Sequence, residues 1–425
     1  MKQPASGRDT TEIGANLQGS VDDWLASVLS HSAEIGQLLR APRDEQERRG
    51  YRHTLREICQ QPLTWMETAA GMDARLPVLE GALRHLKGSG NSGTMILTGS
   101  GSSVYAGECL APALQAVLGL SVRAVPGGEV LTHPEGYFPS AGPCLLVSFA
   151  RSGNSPESCG VIDSVLDNAP ECRHLVITCN RQGRLATSYG NDPRVGTIVL
   201  DDKTCDRSLV MTSSFTNMVL AGRLLGMMDD REEYRASAQG AAQLGGRVLM
   251  EHADALADVA RGPYRSAVYL GSGCRYGSAR EGALKMLEMT GGQVKTFAET
   301  YLGLRHGPMC AIDESALVVC FLATDPIARA YEMDLVVELN RKKLGARKVL
   351  VGRDLPAGLA ATDDVVIDGA DLPGGSDESA PLVDALVGQL LAFFRCMSFG
   401  LRPDMPSDDG VINRVVEDFA IHRRS

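Results

Sequence analysis

Apolar and polar positions follow two regimes along the chain. From about residue 15 to about Leu86 the spacing is helical, with Trp24, Leu25, Val28 and Leu29 forming one apolar stripe. A charged connection, Pro42 to Arg49, leads into TLREICQQPLTWMETAAGM, where Gln60-Gln61-Pro62 marks a helix break and restart. From Thr94 short apolar runs take over: TMILTG, SVRAVPG, CLLVSFA, HLVITCN and TIVLDD, with a long helix after Thr212. The first and third runs pass through Gly/Ser turns into helical stretches. Strands buried on both faces read as continuous apolar runs, so this order predicts an open parallel α/β sheet. Residues 231 to about 261 read as connecting helices.

The theme then returns. SAVYLGSGCRYGSAREGALKM echoes TMILTGSGSSVYAGECLAPAL, and ALVVCFLATDP echoes CLLVSFARSGN. KVLVGRD echoes HLVITCN, DDVVIDG echoes TIVLDD, and a final helix spans Leu382 to Gly400. The helix that follows SAVYLGSG runs into a connection ending in Arg305-His306-Gly307-Pro308. A period of roughly 170 residues is far beyond solenoid repeats and fits one α/β domain present twice. The expected organisation is a helical arm over 1–90, a first domain over 91–230, connecting helices over 231–261, a second domain over 262–402 and a tail over 403–425. Residues 1 to about 15 are polar and are expected to fray.

Composition changes this picture only by exclusion. A net charge of -10 argues against a nucleic-acid groove or an anionic membrane as main partner, while leaving room for a local cationic pocket. Eleven cysteines lie without CxxC or Cys/His spacing, which fits free thiols in a reducing cytoplasm and supplies no zinc ligand set. The longest apolar run, Ala316 to Ala323, is far short of a membrane span, and the N-terminus has no signal-like apolar core.

Two constellations carry candidate chemistry. Ser102 and Ser103 in one turn, and Arg151, Ser152, Asn154 and Ser155 in another, sit where strand ends lead into helix N-termini. Backbone N–H groups there favour an anion, and small hydroxyl residues let a phosphate approach closely. Such residues also build ordinary turns and N-caps. The second copy has Ala323-Thr324-Asp325-Pro326 in place of the second loop, and a carboxylate there would repel phosphate. It has instead Glu281, Lys285 and Glu288, spaced to share one helix face. Read alone, that face is either a proton-transfer group with His306 or a solvated i,i+4 pair.

SFARSGNSPES, MTSSFT, AREGALKMLEMTGG, RHGP and PSDDGVINRVV, in that order, resemble the sugar isomerase (SIS) domain family. The arrangement is the tandem one of the isomerase half of glucosamine-6-phosphate synthase. The likeness is strongest to the tagatose-6-phosphate ketose/aldose isomerase group (AgaS-type), regarded as galactosamine-6-phosphate deaminase/isomerases, and runs from Glu57 nearly to the chain end. It implies two SIS domains, each a parallel-sheet α/β sandwich with flavodoxin-like layering. It implies phosphate contacts from Ser102, Ser103, Arg151, Ser152 and Ser155. It makes Glu288 the carboxylate that moves a proton between C1 and C2, Lys285 the nearby helix lysine, Glu281 a supporting group and His306 the ring-opening histidine.

In synthase-like relatives that histidine reaches the site from the neighbouring subunit, so a homodimer or larger homo-oligomer is implied, with a sugar phosphate as substrate and no cofactor. Two departures stand out. The synthases begin with a glutaminase domain whose nucleophile is an N-terminal cysteine, whereas here about 90 residues of largely helical pattern stand ahead of the first SIS domain. Deamination of galactosamine 6-phosphate or its glucosamine equivalent, or plain isomerisation, is therefore expected rather than amination. The tail lacks the synthases' Schiff-base lysine and has Asn413 and Arg414 in that neighbourhood. Ala150 also stands where the synthases place a hydroxyl. A non-catalytic phosphosugar sensor would need the serine loops but not the Glu-Lys-Glu face.

Overall fold

The computed structural model of the protein describes residues 13–14, 17, 19–87, 93–138, 142–372, 375–407, 410–415 and 419–422. Residues 1–12, expected to fray, and Asp408, Asp409 and Val416 of the tail motif lie outside the described residues.

Two five-stranded parallel sheets carry the fold. The first contains β1 (Thr94–Gly99), β2 (Ser121–Pro126), β3 (Cys144–Ala150), β4 (Cys172–Thr178) and β5 (Val195–Val199), in the order β2-β1-β3-β4-β5. The second contains β6 (Ser266–Leu270), β7 (Lys295–Glu299), β8 (Ala316–Phe321), β9 (Arg347–Gly352) and β10 (Val365–Asp368), in the order β7-β6-β8-β9-β10. Each is the doubly wound order 2-1-3-4-5, in which ligands bind outside the carboxyl ends of strands one and three. The central strands β3 and β8 are buried at every residue, as their unbroken apolar runs require. The sequence predicts only a connection between Met289 and Arg305, yet β7 lies there. Lys295–Glu299 is an edge strand with one exposed and four half-buried residues, so it lacks the apolar run that marks its neighbours.

The helical arm enters the core rather than covering it. Helices α1 (Arg52–Cys59) and α2 (Gln61–Gly71) are separated at Gln60, with Pro62 in the first turn of α2. In α2, Trp65 Nε1 donates to Thr216 Oγ1 at 2.9 Å and Gln61 Nε2 donates to Gln389 Oε1 at 2.6 Å. Thr64 Oγ1 accepts from Asn217 Nδ2 at 2.9 Å. These buried polar groups pair with one another, which is what makes their burial tolerable.

Five of the remaining helices position the site: α3 (Ser102–Leu118), α4 (Pro156–Asn168), α5 (Ser213–Arg223), α6 (Cys274–Met289) and α7 (Pro326–Lys342). An eighth, α8 (Ala380–Ser398), is long and apolar enough to cross a membrane but is buried as a core helix. Helices α3 and α6 leave their strands through matching turns, with Gly101 at φ +56° and Gly273 at φ +55°, a left-handed geometry that favours glycine. The two helices cross where Gly277 of α6 meets α3. A Cβ there would stand 2.6 Å from the Cys109 amide nitrogen, so the backbones touch. That crossing brings the second domain's helix to the first domain's loops.

Candidate active site

The Glu281-Lys285-Glu288 face of α6 is an interior feature, which removes the solvated-pair alternative. Glu281 and Lys285 side chains are 0% and 1% exposed, and Glu288 is 24% exposed. Lys285 Nζ lies 2.5 Å from Glu288 Oε2 and 3.5 Å from Glu281 Oε1. Charges are buried this deeply only when paired. Burial pushes the Glu281 carboxyl up to about 7, with Lys285 opposing, Glu288 adding to the rise and the nearby Ser102 hydroxyl offsetting part of it. Neither Glu281 oxygen has a hydrogen bond of full geometry. Burial also works against the Lys285 ammonium, but Glu281, Glu288 and the hydrogen bond to Glu288 outweigh it and hold its pKa above the ordinary value. The result is a lysine shared by one enclosed carboxyl and one accessible carboxylate. Such a set can accept, hold and return a proton.

The first domain contributes two loops at the switch point of its sheet. Ser102 and Ser103 open α3 after β1, each 5% exposed, and Ser103 Oγ contacts Met211 Sδ at 3.9 Å. After β3, Gly153 takes φ +63°, Ser152 Oγ accepts from the Asn154 amide at 3.3 Å, and Ser155 caps α4 by accepting from the Ser158 amide. Asn154 Oδ1 accepts from the Arg184 amide at 3.0 Å, which fixes the loop against the following strand-end turn. Two helix N-termini thus flank β1 and β3, a setting that suits an oxyanion.

Arg151 behaves differently from its loop. Its guanidinium, in a residue 7% exposed, donates through Nη1 to the Ser208 and Leu209 carbonyls and through Nη2 to the Arg414 carbonyl at 2.6 Å. The Arg414 side chain turns to the 205–206 segment, where its Nε donates to the Asp206 carbonyl at 3.0 Å. Asn413 is adjacent in the chain and has contacts of its own.

Two acids that sequence reasoning did not single out organise this wall. Asp206 accepts from the Thr212, Ser213 and Ser214 amides and so caps α5. Glu57 of α1 accepts from the Arg207 amide at 2.6 Å and from Ser208 Oγ at 2.5 Å. Burial, helped by Asp206, pushes its carboxyl up to about 8. The available signal was an acid six to eight residues ahead of Thr-Ser-Ser, an N-cap at unusual range.

The corresponding loop of the second domain is filled from within. Glu332 Oε2 accepts from the Ala323 amide at 2.6 Å, and Asp377 accepts from the Thr324 and Asp325 amides at 2.7 and 3.2 Å. Asp325 itself caps α7 through the Ile327 and Ala328 amides. The repelling carboxylates are therefore Glu332 and Asp377 rather than Asp325 alone. His306 is exposed, with its amide bonded to the Gly303 carbonyl, and no hydrogen bond or ion pair joins its side chain to Glu288 among the described residues. Among the described residues, no group of three or more His, Cys, Asp or Glu could hold a metal ion, and all eleven cysteines are free thiols.

No family model matches the chain. It is 39% identical over 376 residues to a Streptomyces coelicolor protein named "Putative D-galactosamine-6-phosphate deaminase AgaS", spanning 87% of this chain and 95% of that one. It is 34% identical over 377 residues to D-galactosamine-6-phosphate deaminase AgaS of Escherichia coli O157:H7, with the same coverage. Among solved structures, tagatose-6-phosphate ketose/aldose isomerase from Escherichia coli superposes with a TM-score of 0.78 at 30% identity, covering 88% of this chain and 97% of that chain.

Proposed function

Because the chain belongs to the AgaS family of SIS-domain phosphosugar deaminase/isomerases, we propose that it converts D-galactosamine 6-phosphate and water to tagatose 6-phosphate and ammonia. The observation that carries this reading is the buried Lys285 shared between Glu281 and Glu288 and set against the serine loops of the other domain. The phosphate sits on the loops at Ser102–Ser103 and Ser152–Ser155 as a handle that fixes C1 and C2 against α6. Glu288 removes the C2 proton of the open-chain aldose and returns it to C1, so the enolamine becomes a C2 imine. Water adds at C2, the C–N bond breaks and ammonia leaves. Lys285 offsets the negative charge that develops in the first step.

His306 opens the sugar ring from a second protomer in this proposal. It is exposed, on a turn tied to α7 by the Arg305–Glu338 ion pair at 2.8 Å. Leu302 on the same turn and Ile327 and Tyr331 on α7 are exposed apolar side chains that a second copy would cover. Mixed dimers of Glu288→Gln and His306→Ala subunits should regain turnover that neither parent has. The setting we assign is the cytoplasm, where eleven free thiols persist.

The deciding assay is a panel of hexosamine and hexose 6-phosphates followed in parallel for ammonia and for ketose. Ammonia stoichiometric with ketose from galactosamine 6-phosphate supports the proposal. Interconversion of unaminated sugars without ammonia would make the protein a plain ketose/aldose isomerase, and binding without turnover a sensor.

A further inference from the structure

The proposed phosphate loop contains one residue whose side chain is committed to backbone carbonyls outside the loop. Arg151 is a buried cation whose nearby carboxylates, Asp206 and Glu57, act on it through charge, while its hydrogen bonds among the described residues go to carbonyls. Its partners are three backbone carbonyls from two other segments: Ser208 at 3.2 Å, Leu209 at 2.8 Å and Arg414 at 2.6 Å. Three charge-assisted bonds to carbonyls are a costly use of a guanidinium unless the geometry they impose matters, since each such bond is stronger than a neutral one.

Both segments are held at further points. The Leu209 amide donates to the Asp404 carbonyl at 3.0 Å, and the Asp404 carboxylate accepts from the His53 and Thr54 amides at the start of α1. The Arg414 side chain donates to the Asp206 carbonyl, and Glu57 fixes residues 207 and 208 from the other side. Farther along, Ile421 packs onto α4, where a Cβ on Gly160 would come within 3.1 Å of it. The tail is therefore pinned to the arm, to the 205–214 segment and to α4. Arg151 is the point at which the tail and the 205–214 segment meet the phosphate loop itself.

We infer that Arg151 is a positioning residue: it clasps the tail at Arg414 and the 205–214 segment to the phosphate loop, so the walls of the sugar site are set by the loop that holds the phosphate. This rests on the proposed phosphosugar site and replaces direct phosphate ligation as the role of that side chain. The backbone of the loop and its serines bind the anion, and the guanidinium orders what closes around it. Its charge reaches Lys285 as well, which places the clasp beside the catalytic helix.

Hydrogen exchange resolved by mass spectrometry tests this on the full-length protein, with and without saturating inorganic phosphate. Arg151→Met should raise exchange about tenfold in peptides covering 205–211 and 410–415 while leaving the sheets unchanged, whereas Arg414→Ala, which keeps the carbonyl that Arg151 holds, should raise it less. Binding of inorganic phosphate should weaken less than threefold in Arg151→Met, whereas kcat on galactosamine 6-phosphate falls at least tenfold. If Arg151→Met misfolds, Arg151→Lys keeps the charge, loses the fork and should show the same exchange pattern in smaller degree. Unchanged exchange at 410–415, or phosphate affinity lost in proportion to turnover, would overturn the clasp. Failure of wild-type protein to release ammonia would sink the functional proposal alone, because the exchange and phosphate measurements need no turnover.

Discussion

The two domains share a strand order and a turn geometry but treat the same loop in opposite ways. After β3 the first domain meets its loop amides with hydroxyls rather than carboxylates: Ser152 Oγ accepts from the Asn154 amide and Ser155 Oγ from the Ser158 amide, while Asn180 Nδ2 holds the Ser152 carbonyl. After β8 the second domain satisfies the equivalent amides with its own Glu332 and Asp377. A nest of N–H groups binds an anion whatever its source. The second domain supplies the anion covalently, which closes its loop to phosphate, and in the proposed function its helix α6 carries the proton-transfer groups instead. On the proposed function, the two copies of one scaffold would divide anchoring from chemistry by whether a carboxylate is built in.

That contrast can be broken from either side. The largest effect is expected from Glu288→Gln, which should lower kcat about 10³-fold, the scale of a lost general base, while equilibrium dialysis still shows the sugar phosphate bound. A carboxylate placed in the open loop should make the first domain resemble the second. Ser152→Asp is expected to raise KM roughly 100-fold through like-charge repulsion, with melting temperature and kcat little changed.

A third effect is a matter of pH. Glu281 is raised by burial from an ordinary 4.5 to about 7, against the pull of Lys285. Below that value its carboxyl is neutral and Lys285 serves Glu288 alone, which weakens the base. As Glu281 ionises the lysine is shared, so kcat should rise through pH 7, and Glu281→Gln should erase that limb. The groups acting on Glu281 are Lys285, Glu288 and Ser102. Because its folded value is raised, the stability tied to this carboxyl is present below pH 4.5 and is lost as pH rises through 7. Thermal melts across that window should show a slope that the variant flattens. The smallest effect is on the closed loop: Asp377→Ala removes the acceptor for two amides. It should cost about 1–2 kcal/mol, read as a modest drop in melting temperature with KM unchanged.

The doubled sheet was legible because β3 and β8 are almost wholly apolar and buried at every residue, and a strand covered on both faces has no polar alternation to hide it. β7 escaped because an edge strand is half wet and KTFAE looks like linker. The spacing of Glu281, Lys285 and Glu288 placed them on one face, but spacing carries no information on depth; packing of α6 against α3 at Gly277 and against α8 at Gly282 buries it. The partners of Arg151 lie 57, 58 and 263 residues away, and Asp377 lies 53 residues from Thr324. No local pattern announces such pairings, because the chemistry that selects them, an orphan amide or a buried charge, exists only after the sheets have formed.

Gly277 also fixes a length. The anchoring loops and the proton-transfer face belong to different domains, and their separation is set where α3 and α6 touch backbone to backbone. Any side chain at that position would wedge the helices apart and move the C1–C2 end of the site away from the phosphate end. Under the proposed function the crossing would act as a gauge for how many carbons stand between the phosphate and the reacting centre, at a contact that no substrate atom need touch.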